Sequence, residues 1–116
     1  MTQEEAQAAL DELRAAIDDV DLRLLALFNE RANVAGQIGD IKRAAALPIY
    51  EPKREELVFK NVTENNRGPL PNDAIRRLYE RIVDEMRTLQ RERMKRAQAQ
   101  VQAEAQVEAQ TKGETL

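Results

Sequence analysis

A chemical reading of this sequence turns on Arg31. Leu10, Leu13, Ile17, Val20, Leu24, Leu27, Val34, Ile38 and Ile41 recur at alternating steps of three and four residues, the spacing of a helix packed along a seam. At the seam position between Leu27 and Val34 the chain has an arginine instead, a group that is always charged and costly to bury without an anion to neutralise it. Lys42 follows eleven residues later, close to three helical turns, so both cations share one helix face about 16 Å apart along the axis. Side chains of that reach can converge on a single ligand. Arg54 and Glu55, at the start of a following helix, are led back towards this face by a connector at Pro48. Gln90 interrupts the apolar face of a third helix as Arg31 interrupts the first. Polar residues pointing inward from several helices are the layout of a ligand pocket in a bundle core.

Arg14 lies beside the seam seventeen residues before Arg31, about 25 Å along the axis. It cannot share a pocket with the Arg31 of its own helix. If two long helices pair antiparallel, however, the Arg14 of one chain comes level with the pocket of the other. On pattern alone a second reading stays open, in which Arg14, Arg31 and Lys42 are ordinary charges paired across helices with Asp18, Asp21 or Glu55, or polar insertions that fix coiled-coil register.

The kinds of chemistry on offer are narrow. The 116 residues include no His, no Cys, no Trp and no Ser. Disulfides, thiolate nucleophiles, imidazole relays and serine triads are therefore excluded. What remains is 18 Lys/Arg, 21 Asp/Glu, Asn/Gln, five Thr and two Tyr. An enzyme built from these works by charge and hydrogen bonding, and neither a metal nor a cofactor is expected. The formal net charge of -3 argues against a nucleic-acid partner. The basic clusters Arg76-Arg77 and Arg91 to Arg96 read as solvated helix surface.

The elements that must position these residues are helical throughout. Four Gly, four Pro and an abundance of Ala, Leu, Arg, Glu and Gln favour helix and leave no expected sheet. Thr2-Gln3-Glu4-Glu5 is a capping box. From there no Pro interrupts until Pro48, so one helix from about Thr2 to Ala45 would be roughly 65 Å long. A compact monomer of this length has a radius of gyration of only about 13 Å. The seam then needs a second chain to cover it, which predicts an intertwined helical homodimer of three helices per chain, one of them very long.

The connector Ala46–Tyr50 leads into a second helix with Pro52 at its first position and Leu57, Val58 and Val62 on its apolar face. The turn run Asn65–Pro71 ends it. Asn72 or Asp73 is expected to cap a third helix that buries Ile75, Leu78, Tyr79, Ile82, Val83, Met86 and Leu89. After Met94 the sequence becomes Ala/Gln/Glu-rich. Residues 1–94 therefore read as the domain and 95–116 as a tail, a fraying helix to Gln110 with the last six residues disordered. No apolar run approaches the roughly 20 residues of a membrane span, and the acidic amino terminus does not read as a secretory signal. The expected location is cytoplasmic.

The runs Leu13–Asp21, Leu24–Arg31 and Ile38–Lys42, continued by Pro48-Ile49-Tyr50-Glu51-Pro52-Lys53-Arg54-Glu55, resemble the all-helical class of chorismate mutases over roughly residues 8 to 92. The turn Glu64–Pro69 is similar to that of the chorismate mutase domains joined to DAHP synthase, making such a synthase an expected partner. The resemblance implies conversion of chorismate to prephenate, an intramolecular Claisen rearrangement in homodimers with shared active sites. It implies that Arg31 and the partner chain's Arg14 grip the substrate carboxylates, with Arg54 supporting them. Lys42 and Gln90 would donate to the ether oxygen, and Glu55 with Glu51 would bind the ring hydroxyl. The family often has Asp where this chain has Glu51, and some members have Ser where it has Met86, also a substrate-binding position by this correspondence. These charged positions hold a local excess of two positive charges on an acidic chain, matched to a dicarboxylate. Two other classes remain open: a regulatory module that binds chorismate or prephenate and docks on DAHP synthase, and a helical dimerisation scaffold without a ligand.

Overall fold

The computed structural model describes residues 1–114, and these fold as α1 (Gln3–Ala44), α2 (Pro52–Glu64) and α3 (Asn72–Glu114). There is no strand among the described residues, so the expected all-α class holds. No helix there is long and apolar enough to cross a membrane. The capping of α1 follows the sequence: the Glu5 N–H donates to Thr2 Oγ1 at 3.1 Å.

Three expectations are corrected. The chain has two long helices rather than one, because α3 continues without a break from Asn72 to Glu114. Ala, Gln and Glu are strong helix formers, and no Gly or Pro occurs between Met94 and Gly113 to stop them. The disorder expected for the last six residues is accordingly absent up to Glu114, and residues 115 and 116 lie outside the described residues. Neither Asn72 nor Asp73 caps α3. Asn72 is already helical, and its side-chain oxygen instead accepts 2.8 Å from Asn66 Nδ2, which ties the α2–α3 loop together with bonds to the Leu70 carbonyl and from the Gly68 N–H.

The chain divides into two units, Met1–Val34 and the part from Ala35 onward, with the boundary inside α1. In the first unit no residue is buried, and Leu10, Leu13, Ile17, Val20, Leu24 and Leu27 are 42–64% exposed. The second unit holds the core: Ala35, Gly36, Gly39 and Lys42 of α1, Phe59 of α2, and Val83 and Gln90 of α3. The apolar face of α2 is shifted from expectation, since Leu57 is exposed and Phe59 is buried beneath the Arg76 guanidinium, 4.5 Å from its ring centroid. On α3, Leu78 is likewise exposed.

Candidate active site

The second unit is built around two buried polar side chains, Lys42 at 6% exposure and Gln90 at 9%. Lys42 sits in the last turn of α1, and the way that helix stops fixes its surroundings. Ala46 adopts φ 55°, a left-handed residue that lets the Leu47 N–H reach the Lys42 carbonyl at 2.8 Å while the Ala46 N–H bonds to Arg43 at 3.3 Å. This is a Schellman turn with alanine where glycine is usual. It reverses the chain so that the Ile49 carbonyl accepts from Lys42 Nζ at 2.9 Å and Glu51 Oε2 stands 3.3 Å from the same ammonium. Glu51 occupies the N-cap position of α2 but makes no capping hydrogen bond; its carboxylate is turned to Lys42. Two of the three ammonium donors are thereby committed.

Gln90 reaches Lys42's helix by a different device. Its amide Nε2 donates to the Ala35 carbonyl at 2.8 Å, and its stem lies against Gly39, one turn before Lys42. A β-carbon at Gly39 would stand 2.9 Å from Gln90 Cγ and 3.3 Å from its Cβ. The absence of that carbon lets the amide lie on the backbone of α1. The second amide hydrogen has no partner among the described residues. Gly36 plays the same part for Arg93, whose guanidinium lies over it and donates to Asp40 Oδ2 at 2.8 Å.

The remaining expected positions are distributed as follows. Glu55 is half-buried and held by Arg87, while Met86 is half-buried on α3. Arg54 is exposed on α2 and has no hydrogen-bonding or ionic partner among the described residues. In the first unit, Arg14 is exposed and Arg31 partly covered, and neither has such a partner there. Among the described residues of the single chain, Lys42 pairs with Glu51 and Glu55 with Arg87, and neither Arg14 nor Arg31 pairs with Asp18 or Asp21. Among the described residues no cluster of His, Cys, Asp and Glu is placed to hold a metal ion.

Arg87 and Arg93 are the site neighbours that sequence reasoning missed. A signal was there for Arg87, since Val83, Arg87 and Gln90 follow the same four-then-three spacing as the seam. It was hidden by the neighbouring Met86 and Leu89, which satisfy the apolar pattern without it.

The family model described as chorismate mutase type II matches residues 13–91, a span that contains every candidate position from Arg14 to Gln90. The chain belongs to that family. A bifunctional chorismate mutase/prephenate dehydratase of Neisseria gonorrhoeae is 38% identical over 86 residues, covering 71% of this chain and 23% of that protein. The chain thus spans about a quarter of such two-activity relatives. Among solved structures, a chorismate mutase of Thermus thermophilus matches with a TM-score of 0.71 and 34% identity, over 72% of this chain and 94% of that one. The Helicobacter pylori chorismate mutase in complex with prephenate matches with a TM-score of 0.71 and 31% identity, over 76% and 96%. The matched region takes in most of α1, all of α2 and the first part of α3, whereas α3 beyond Arg91 lies outside it.

Proposed function

We propose that this chain converts chorismate to prephenate and that it does so as a homodimer. The observation that carries the reading is Lys42: a lysine withdrawn from water, fixed by the Ile49 carbonyl and Glu51, with one ammonium donor uncommitted. In the rearrangement the bond between the ether oxygen and the ring breaks as a carbon–carbon bond forms between the side-chain methylene and the ring. No proton moves and no covalent intermediate with the enzyme forms, so the lack of His, Cys and Ser is no obstacle. Negative charge grows on the ether oxygen as its bond lengthens. Donors from Lys42 and the uncommitted Gln90 amide hydrogen strengthen as that charge develops, which is the differential binding that lowers the barrier.

Arg31 and the partner's Arg14, neither of them paired among the described residues, grip the two carboxylates, supported by Arg54, and hold the flexible side chain over the ring. Glu55 and Glu51 take the ring hydroxyl, beside Met86. The exposed apolar residues of the first unit favour a second copy as their cover, because a stripe of leucines at helical spacing in water is unstable without one. The activity test is the loss of chorismate absorbance on adding purified protein; no turnover at any protein concentration overturns the reading. Mixing Arg14→Ala and Arg31→Ala proteins tests the shared site, because heterodimers should regain one intact pocket. Failure to complement would mean that each chain builds its own.

A second reading is favoured by the exposed helix beyond the family match, residues 92–114, where Val101 and Val107 face solvent. There the domain binds chorismate or prephenate as a regulatory module docked on a DAHP synthase. Ligand binding without turnover, together with co-purification of the synthase, would select it.

A further inference from the structure

Arg87 lies one turn before Gln90 on α3 and closes on Glu55 with two nitrogens: Nε is 3.0 Å from Oε2, and Nη2 donates to Oε1 at 3.3 Å. Both side chains are largely withdrawn from water, at 25% and 19% exposure. The same guanidinium donates to Asp84 at 2.8 Å on its own helix and lies 5.1 Å from the Tyr50 ring centroid. Tyr50 stands between Ile49 and Glu51, the two residues that hold Lys42. One planar cation therefore joins the connector, the first turn of α2 and the helix that carries Gln90.

Only arginine does all of this at once. Its Nη2 bonds Glu55 and Asp84 while Nε stands in ion-pair contact with Glu55 without a hydrogen bond of its own, and its flat face lies on an aromatic ring, whereas a lysine ammonium offers a point charge. The Arg87–Glu55 pair is less exposed than the Arg76–Glu56 pair, which also links α2 to α3 at 46% and 66% exposure. An ionised carboxylate has about four acceptor sites. Arg87 takes one acceptor site of Oε1 by a hydrogen bond and sets its charge beside Oε2, so most of the acceptor capacity of Glu55 stays open.

We propose that Arg87 is a positioning residue for the ring-hydroxyl end of the substrate, acting through Glu55. This rests on the mutase reading, in which Glu55 accepts a hydrogen bond from that hydroxyl. Arg87 is not itself in contact with substrate. Its work is to hold the Glu55 carboxylate where the hydroxyl arrives, without the search that a free glutamate side chain would make.

The test compares the intact protein with Arg87→Met and Arg87→Lys, using a bicyclic transition-state analogue that carries the ring hydroxyl and the same compound without it. A hydrogen bond to a charged acceptor governs about ten- to a hundred-fold in affinity. Arg87→Met should weaken the hydroxylated analogue by about ten-fold and leave the deoxy analogue within about two-fold; adding Glu55→Gln should cause no further loss. Equal loss for both compounds, or none for either, overturns the proposal. If Arg87→Met does not fold, Arg87→Lys carries the same comparison with a smaller ratio in the same direction. Failure of the intact protein to bind either analogue would instead overturn the mutase reading, which keeps the two outcomes apart.

Discussion

The side chain of Gln90 lies across Gly39, its Cγ 2.9 Å from the point where a β-carbon would stand, and its amide is thereby delivered to the Ala35 carbonyl at 2.8 Å. The bare backbone of α1 is what fixes this buried amide. The relation between a glycine on one helix and a glutamine on another sets the donor geometry more than either residue alone.

Gly39→Ala and Gly36→Ala should therefore differ sharply. Each gains about 1 kcal/mol of helix propensity. At Gly36 the new methyl group meets the far end of Arg93, which swings away and gives up its Asp40 pair, a half-exposed contact worth about 0–1 kcal/mol. Stability and kcat should stay near those of the unaltered protein. At Gly39 the methyl group meets the stem of Gln90, where only a χ1 rotation that carries the amide away or a shift of the helix clears it, so the amide must move. A misplacement of about 1 Å costs on the order of 10² in rate. Steady-state kinetics and thermal melts on the two variants check this, and equal effects at both glycines would refute the placement of Gln90.

Lys42→Ala separates catalysis from folding. The substitution strands the Ile49 carbonyl and leaves Glu51, which is 45% exposed, to be solvated. An unmade hydrogen bond of this kind costs about 1 kcal/mol, a shift of about 4–8 °C in Tm for a domain of this size. Removal of a donor to developing charge costs about 10² to 10³ in kcat. The expected result is thus a large kinetic defect with a modest fall in Tm. A lowered Tm with kcat intact would place Lys42 among the structural residues.

What could be read in the sequence divides along a physical line. Arg31 and Gln90 stood out because they break a periodic apolar pattern, and Lys42 because it returns to the Arg31 face after three turns; Lys42 and Gln90 are buried, whereas Arg31 is only partly covered. The three helices and the Pro52 start of α2 were equally legible. Glu51 was visible only through resemblance, since nothing about an acidic residue before Pro52 says that it will turn away from its helix to a lysine. Arg87 and Arg93 were lost among many charged residues, because a helix-surface ion pair and a solvated charge look alike in one dimension. The helical extension through the Ala/Gln tail was legible from intrinsic propensity, and α3 carries it a little beyond Gln110, to Glu114. The conformation of Ala46 was hidden most completely: the helix was expected to end there, but nothing about an alanine says that it will turn left-handed.

That last residue yields a prediction linking the turn to the site. Ala46 at φ 55° sits in a conformation that costs an L-residue about 1–2 kcal/mol and a glycine almost nothing, although glycine adds about 0.5–1 kcal/mol of entropy to the unfolded chain. Ala46→Gly should therefore be neutral to stabilising, by at most about 1 kcal/mol, with kcat unchanged because the turn's bonds to Lys42 and Arg43 are made by backbone groups. Ala46→Val places a β-branched residue where it fits worst. It should force the turn open, release the Leu47 bond to the Lys42 carbonyl and move Ile49 and Glu51 away from the ammonium, so that kcat falls together with stability. Urea denaturation and kinetics on the pair measure both effects. A stable and fully active Ala46→Val protein would show that Lys42 keeps its place without this turn.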